Sequence, residues 1–102
     1  MVIGVLQFEL LIHDALSLKD KRRVIRSLRD RLHREHQVSI AEVGANEMLN
    51  VALMGLACVA SDGRRVADVL DAIEDKLRKL RDAELGDISR EILHGLPAEM
   101  PS

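Results

Sequence analysis

The alternation of apolar and polar positions divides the chain into six segments of regular structure. Residues 2–12 form a long run without proline in which the even positions are apolar apart from Gly4, a pattern that predicts a β-strand. Residues 37–43 and 87–93 contain more polar side chains, which predicts two strands at the edges of a sheet. Residues 51–60 are apolar on both faces, as expected for a strand that is covered from both sides.

Apolar residues change to helical spacing in the other two segments. Ser17 is the predicted N-cap of the first helix, with Asp20 three residues later as the acidic member of a capping box. Ser61 or Asp62 is expected to cap the second helix. The apolar residues that follow the two caps recur with a period of 3.6 residues, which predicts two amphipathic helices. They are Leu18, Val24, Ile25, Leu28 and Leu32 in the first helix, and Val66, Leu70, Ile73, Leu77 and Leu80 in the second.

The order of these segments predicts one domain, residues 1–93, followed by a C-terminal tail, residues 94–102. A chain of 102 residues is long enough for a single compact domain. Because strand–helix–strand connections are right-handed, both helices are expected on the same face of the sheet. The predicted fold is therefore an α+β sandwich of the ferredoxin-like βαββαβ type, with a four-stranded antiparallel sheet, two helices on one face, and the first and third strands in the centre.

A sheet with helices on one face leaves its other face without cover. Burial of an apolar side chain contributes about 1.5–3 kcal/mol, and soluble monomers rarely expose a large apolar patch. Either register of the third strand would place apolar residues on this face, so we expect a second subunit, the C-terminal tail or another protein to cover it. A homodimer is the favoured interpretation. Its expected interface residues are Ile3, Val5, Met54 and Leu56.

Charge is distributed unevenly along the chain. Residues 19–35 contain eight Lys or Arg and three Asp or Glu, a local net charge of +5; since the whole chain carries −2, the remainder carries −7. The N-terminus of a helix also presents free backbone N–H groups to anions. Binding of phosphates, in structured RNA or on a ribosomal surface, is therefore expected, and a solvated, salt-bridged helix face is the alternative. The residues expected to contact phosphates are Lys19, Lys21, Arg22, Arg23 and Arg26.

Lys21 differs from the other basic residues of this segment. At 100° per residue its side chain points toward the apolar stripe of the helix, whereas the others point away from it. Its ammonium group is therefore expected either to reach solvent at the edge of the sheet or to meet a carboxylate there.

The composition disfavours several functions that a small α+β domain can have. Phe8 is the only aromatic residue, so base stacking of the kind that RNA-recognition domains use is not expected. Cys58 is the only cysteine, which excludes an internal disulfide and a paired-cysteine metal site and fits a cytoplasmic location. No glycine-rich phosphate loop occurs, and no apolar run is long enough to predict a membrane span. The first strand also lacks the basic leader and cleavage site of a signal peptide.

Two groups of titratable residues remain as weaker candidates. His13, Asp14 and Glu42 allow an acid–base set, and His13, Glu42 and Lys21 allow a small-ligand or enzyme site at a dimer cleft; both are minor alternatives. His33 and His36 are three residues apart near the end of the first helix, but no third metal ligand is evident, so a solvated helix end is the simpler interpretation. We therefore predict no catalytic residue, no metal and no cofactor.

The start of the first helix carries a family resemblance. Residues 17–24, Ser-Leu-Lys-Asp-Lys-Arg-Arg-Val, resemble the motif of the YlxP-like family, a bacterial family of unknown function. Residues 2–6, 38–43 and 55–59 are similar to the first three strands of that family, so the resemblance covers about residues 1–93. It implies a ferredoxin-like fold and no known catalytic residues. Residues 44–50 depart from the pattern, since relatives often carry bulky or aromatic side chains there.

The resemblance also bears on function, because genes of this family often lie near those for translation initiation and ribosome maturation. Together with the basic first helix, this predicts a non-enzymatic module that binds RNA or a ribosomal surface in a translation or ribosome-maturation context. The alternative is a homodimeric protein-interaction module that acts through the apolar sheet face.

Overall fold

The computed structural model describes residues 1–95, which form four strands and two helices. The elements in chain order are β1 (Val2–Leu11), α1 (Leu18–His36), β2 (Ser39–Gly44), β3 (Val51–Ala60), α2 (Gly63–Arg78) and β4 (Glu84–His94). Of the predicted tail, residues 94–102, the part from position 96 onward lies outside the described residues. The alternative in which the tail covers the sheet depends on that part and stays a prediction.

The four strands form one antiparallel sheet with the order β2-β3-β1-β4. The even-numbered residues of β1 and β3 point to one face, where the apolar stripes of both helices cover them. This arrangement confirms the predicted ferredoxin-like fold, including the central position of the first and third strands. The largest fully buried apolar side chains of the core are Leu6, Phe8, Leu10, Ile12, Leu32, Met54, Leu70, Ile73 and Leu77.

Both helices begin at the predicted caps. The Ser17 hydroxyl accepts a hydrogen bond from the backbone N–H of Asp20 at 3.1 Å, and the Asp20 carboxylate accepts one from the N–H of Leu16 at 3.1 Å. Asp62, rather than Ser61, caps α2 by accepting from the N–H of Arg65 at 2.8 Å. Within residues 1–95, neither helix has the length and apolar character that crossing a bilayer requires.

The prediction that Met54 and Leu56 form an oligomer interface is wrong. Their relative exposures are 0% and 3%, because both side chains face the helices. Met54 lies opposite Phe8 in the β1–β3 pairing, and residues directly opposite one another in an antiparallel pair point to the same face. Ile3 and Val5 do lie on the uncovered face. A homodimer through that face stays a prediction.

Candidate nucleic-acid interface

Three arginines of α1 line a groove between this helix and the edge strand β2. Arg22, Arg26 and Arg29 are four and three residues apart, so they share one side of the helix. The groove has a volume of about 260 Å³. We call it the cationic groove; its lining residues are Arg22, Ile25, Arg26, Arg29, Ala41 and Glu42.

Most basic side chains of this region lack a strong acidic partner. Among residues 1–95, the side chains of Lys19, Arg22 and Arg26 form neither an ion pair nor a hydrogen bond. Arg23 lies 3.6 Å from an Asp20 carboxylate oxygen, and the Nε of Arg29 lies 3.8 Å from an oxygen of its neighbour Asp30. Exposed pairs of this kind contribute only about 0–1 kcal/mol. These cations are therefore available to an external anion.

Lys21 has a different environment, and the prediction that it contacts phosphates is wrong. Its side chain is 1% exposed, and its Nζ lies 2.8 Å from Glu42 Oε2. The ammonium donates hydrogen bonds to the carbonyl oxygens of Ala45 at 2.7 Å and Met48 at 2.6 Å. The other expectation, that Lys21 meets a carboxylate at the sheet edge, is confirmed.

The contact between Lys21 and Glu42 is an ion pair without the geometry of a regular hydrogen bond. Glu42 Oε2 is buried and accepts no hydrogen bond of regular geometry, although the ammonium nitrogen is 2.8 Å away. Two opposite charges so close together attract each other whatever the angle at hydrogen, so the contact is an ion pair. Lys21 thereby ties the start of α1 to β2 and to the loop between β2 and β3.

Asn50 fixes the other end of that loop. Its side-chain Nδ2 donates to the carbonyl oxygens of Ile12 at 2.7 Å and Ala15 at 3.0 Å. The backbone N–H of Ile12 donates in return to the carbonyl oxygen of Asn50 at 2.8 Å. Lys21 and Asn50 thus hold the β2–β3 loop against the connection from β1 to α1, which sets the position of the basic helix N-terminus.

The residues of the weaker acid–base candidate are engaged separately. His13 Nε2 lies 2.8 Å from an oxygen of Glu84 on β4, and both side chains are exposed. Glu42 pairs instead with Lys21 at the β2 edge. His13 and Glu42 therefore contact different partners, and these contacts give no support to an acid–base pair between them.

The last turn of α1 meets α2 through a small polar cluster. Lys76 contacts the carboxylate of Glu35, and its Nζ donates to His36 Nε2 at 2.6 Å. This neighbouring ammonium lowers the pKa of Glu35, whereas burial, followed by the charge of Lys76, lowers the pKa of His36. His33 makes a separate contact, since its Nδ1 lies 3.0 Å from the carbonyl oxygen of Val38. Across residues 1–95, no three His, Cys, Asp or Glu side chains are arranged to hold a metal ion.

Comparison with known proteins places the chain in a family. Residues 3–90 match the family described as "Protein of unknown function (DUF503)". The chain belongs to this family. It is similar to the uncharacterized protein YlxP of Bacillus subtilis (strain 168), with 37% identity over 60 residues. That alignment covers 59% of this chain and 65% of YlxP, which is less than two thirds of the relative. The resemblance of this chain to the YlxP-like family is thereby confirmed.

A solved structure supports the fold. A de novo designed protein with ferredoxin fold, determined by solution NMR, matches this chain with a TM-score of 0.53 and 16% sequence identity. The match covers 99% of this chain and 93% of the designed protein. At this level of identity the likeness concerns the fold alone.

Sequence reasoning missed one member of the cationic groove. Arg29 belongs to the basic segment but is not among the residues that the sequence predicts to contact phosphates. It lies seven residues after Arg22 and three after Arg26, which is the spacing of a single helix side. That spacing is the signal that identifies it.

Proposed function

We propose that the protein is a non-enzymatic module that binds the phosphate backbone of RNA in the cationic groove, in a translation or ribosome-maturation context. Arg22, Arg26 and Arg29 contact phosphates from the groove, and Lys19 and Arg23 add charge at the start of α1. The DUF503 family is described as one of unknown function, so membership of it does not point to RNA binding. The proposal therefore depends on the cationic groove.

The observation that carries the proposal is that Arg22 and Arg26 lack any acidic partner within residues 1–95. They are four residues apart, and like charges at that spacing destabilise a helix by about 0.2–0.5 kcal/mol per pair. A bound phosphate removes this repulsion and satisfies the guanidinium donors, which bind phosphate oxygens with two parallel hydrogen bonds. The arrangement thus favours an anionic ligand over an empty groove.

The chemistry of the groove favours the RNA backbone over its bases. Positions 22 to 29 extend over roughly 10 Å of helix, a length over which one nucleic-acid strand presents about three phosphates. Phe8, the only aromatic residue, is buried in the core and is unable to stack on a base. Recognition by backbone and shape, as in proteins that bind double-stranded RNA, is therefore expected.

The test is the salt dependence of binding to a fluorescently labelled RNA hairpin, measured by anisotropy from about 50 to 200 mM salt. Three phosphate contacts predict a slope of about −2 to −3 in a plot of log affinity against log salt concentration. The triple variant Arg22→Glu/Arg26→Glu/Arg29→Glu is expected to lose binding while keeping the fold.

The control is Arg64→Glu/Arg65→Glu at the start of α2, which reverses two positive charges instead of three. The side chains of both residues are exposed and form no ion pair within residues 1–95. Because α1 follows β1, α2 follows β3, and these strands are antiparallel, the two helix N-termini lie at opposite ends of the sheet. The control is expected to keep most of the affinity. Absence of binding by the wild-type chain at low salt, or equal affinity in the folded triple variant, would refute the proposal.

A further inference from the structure

The sheet face turned away from the helices has an apolar half, formed by β2, β3 and the neighbouring residues of β1. Val43 and Val59 are the most exposed members, at 55% and 65%. Between β2 and β1 lies a shallow depression of about 410 Å³, with Gly55 of β3 in its lining. A Cβ atom on Gly55 would lie 3.2 Å from Val43 Cγ1, so the absence of a side chain keeps this depression open.

The other half of the same face carries Leu93 opposite Ile3 and Ser89 opposite Gln7, together with three glutamates. Glu91 lies opposite Val5, and Glu84 lies opposite Leu11, so both carboxylates belong to the uncovered face. Glu9 of β1 shares this face and accepts a hydrogen bond from the backbone N–H of Asp87 at 3.3 Å.

The strands supply no Lys or Arg partner for these carboxylates, although Glu84 has a partner in His13, whose Nε2 lies 2.8 Å away in the connection from β1 to α1. Arg90 is the only Lys or Arg in β1, β2, β3 and β4. It lies opposite Leu6 and therefore faces the helices, where its guanidinium pairs with Asp71 at 2.9 Å and with Glu74 at 3.1 Å. The outer face consequently combines an apolar depression with Glu9 and Glu91, for which the residues that the structure describes provide no Lys or Arg partner.

We propose that this face docks a protein segment that carries both apolar and basic side chains. Apolar side chains would fill the depression beside Gly55, and Lys or Arg side chains would pair with Glu9 and Glu91. Complementary charge steers such a partner to the face and disfavours the binding of partners with like charge.

A second copy of the chain fits this face less well. In a face-to-face dimer, the carboxylates of one copy would lie against carboxylates or neutral groups of the other. A buried charge without a partner of opposite charge destabilises such an interface. Helix α1 of another copy offers cations, with the exposed side chain of Leu16 beside its start, but docking it on this face is a head-to-tail contact, which continues into a filament unless it closes into a ring. The occupant that fits both halves of the face is therefore a protein segment that carries both basic and apolar side chains.

The test uses a labelled peptide of alternating leucine and lysine residues, with leucine–glutamate and serine–lysine peptides of equal length as controls. Fluorescence anisotropy is expected to show that the leucine–lysine peptide binds about tenfold or more tightly than either control. Val59→Lys and Glu91→Lys, both at exposed positions, are each expected to weaken this binding about tenfold. The variant Asp75→Lys, at an exposed position of α2, makes the same change of charge as Glu91→Lys and is expected to leave the binding unchanged.

Sedimentation equilibrium of the wild-type chain separates the alternatives. A monomer that binds the leucine–lysine peptide supports the proposal. A dimer that Val59→Lys dissociates would assign the face to a second copy and overturn it. Equal affinity for the leucine–lysine and leucine–glutamate peptides would overturn it as well.

Discussion

Replacement of Lys21 by methionine is expected to destabilise the protein by about 3 kcal/mol. The methionine side chain still fills most of the space, but the ammonium group that joins α1 to β2 and to the β2–β3 loop is lost. Glu42 then keeps a charge in a side chain that is only 19% exposed, and the carbonyl oxygens of Ala45 and Met48 lose their donor. Removal of one partner from a buried ion pair costs about 3–5 kcal/mol. We expect the lower end of that range because Glu42 is partly hydrated.

Urea unfolding followed by circular dichroism measures this free energy, and a thermal melt should show a midpoint lowered by about 12–24 °C. Lys19→Met is the matched control, since Lys19 is exposed and lacks a partner within residues 1–95. It is expected to change the free energy of unfolding by less than about 0.5 kcal/mol. A double-mutant cycle of Lys21→Met with Glu42→Gln should give an interaction energy between about 0.5 and 3 kcal/mol.

Two results would refute this reasoning. The first is a loss of less than about 1 kcal/mol in Lys21→Met, which is too small for a buried charge left without its partner. The second is an equal loss in Lys19→Met, which would show that any reduction of charge on α1 has the same effect. Either outcome would mean that the contacts of Lys21 do not hold the loop in place.

Three further predictions concern packing and pH. Gly4→Ala should destabilise the fold by about 1–3 kcal/mol in thermal unfolding, because its Cβ would lie 2.4 Å from Val66 Cγ1. Gly63→Ala should change stability by less than about 1 kcal/mol, since the nearest atom to its Cβ is 3.9 Å away; a comparable loss in both variants would argue against a packing effect at Gly4. Because burial and the charge of Lys76 lower the pKa of His36 below its ordinary value of 6.5, the unfolded state takes up the proton first, and stability should fall as the pH drops below 6.5. His36→Gln should reduce this slope, and an unchanged slope in urea unfolding at several pH values would contradict the assignment.

The sequence predicts the order and type of the elements because each carries a local signal. Period-two alternation, the Ser17 cap and the apolar stripes depend only on neighbouring residues. The face assignment of β3 has no such signal, since both of its faces are apolar. Only the pairing of Met54 with Phe8, a contact between residues distant in the chain, decides that Met54 and Leu56 are buried.

The site was predicted in part for a similar reason. The basic stripe and the inward angle of Lys21 follow from helical geometry, so its contact with a carboxylate could be predicted, although the identity of that carboxylate and the burial of Lys21 could not. Glu42 belongs to a strand whose position beside α1 is set by tertiary packing. The acidic half of the outer face was also missed, because it needs the register that places Glu91 opposite Val5.

Heteronuclear NMR during titration with an RNA hairpin at low salt locates the bound nucleic acid directly. We expect the amide signals of residues 19–29 in α1 and 39–42 in β2 to shift, while those of Val59 and Glu91 on the outer sheet face stay unchanged. Shifts confined to the outer face, or no shifts at low salt, would contradict RNA binding in the cationic groove.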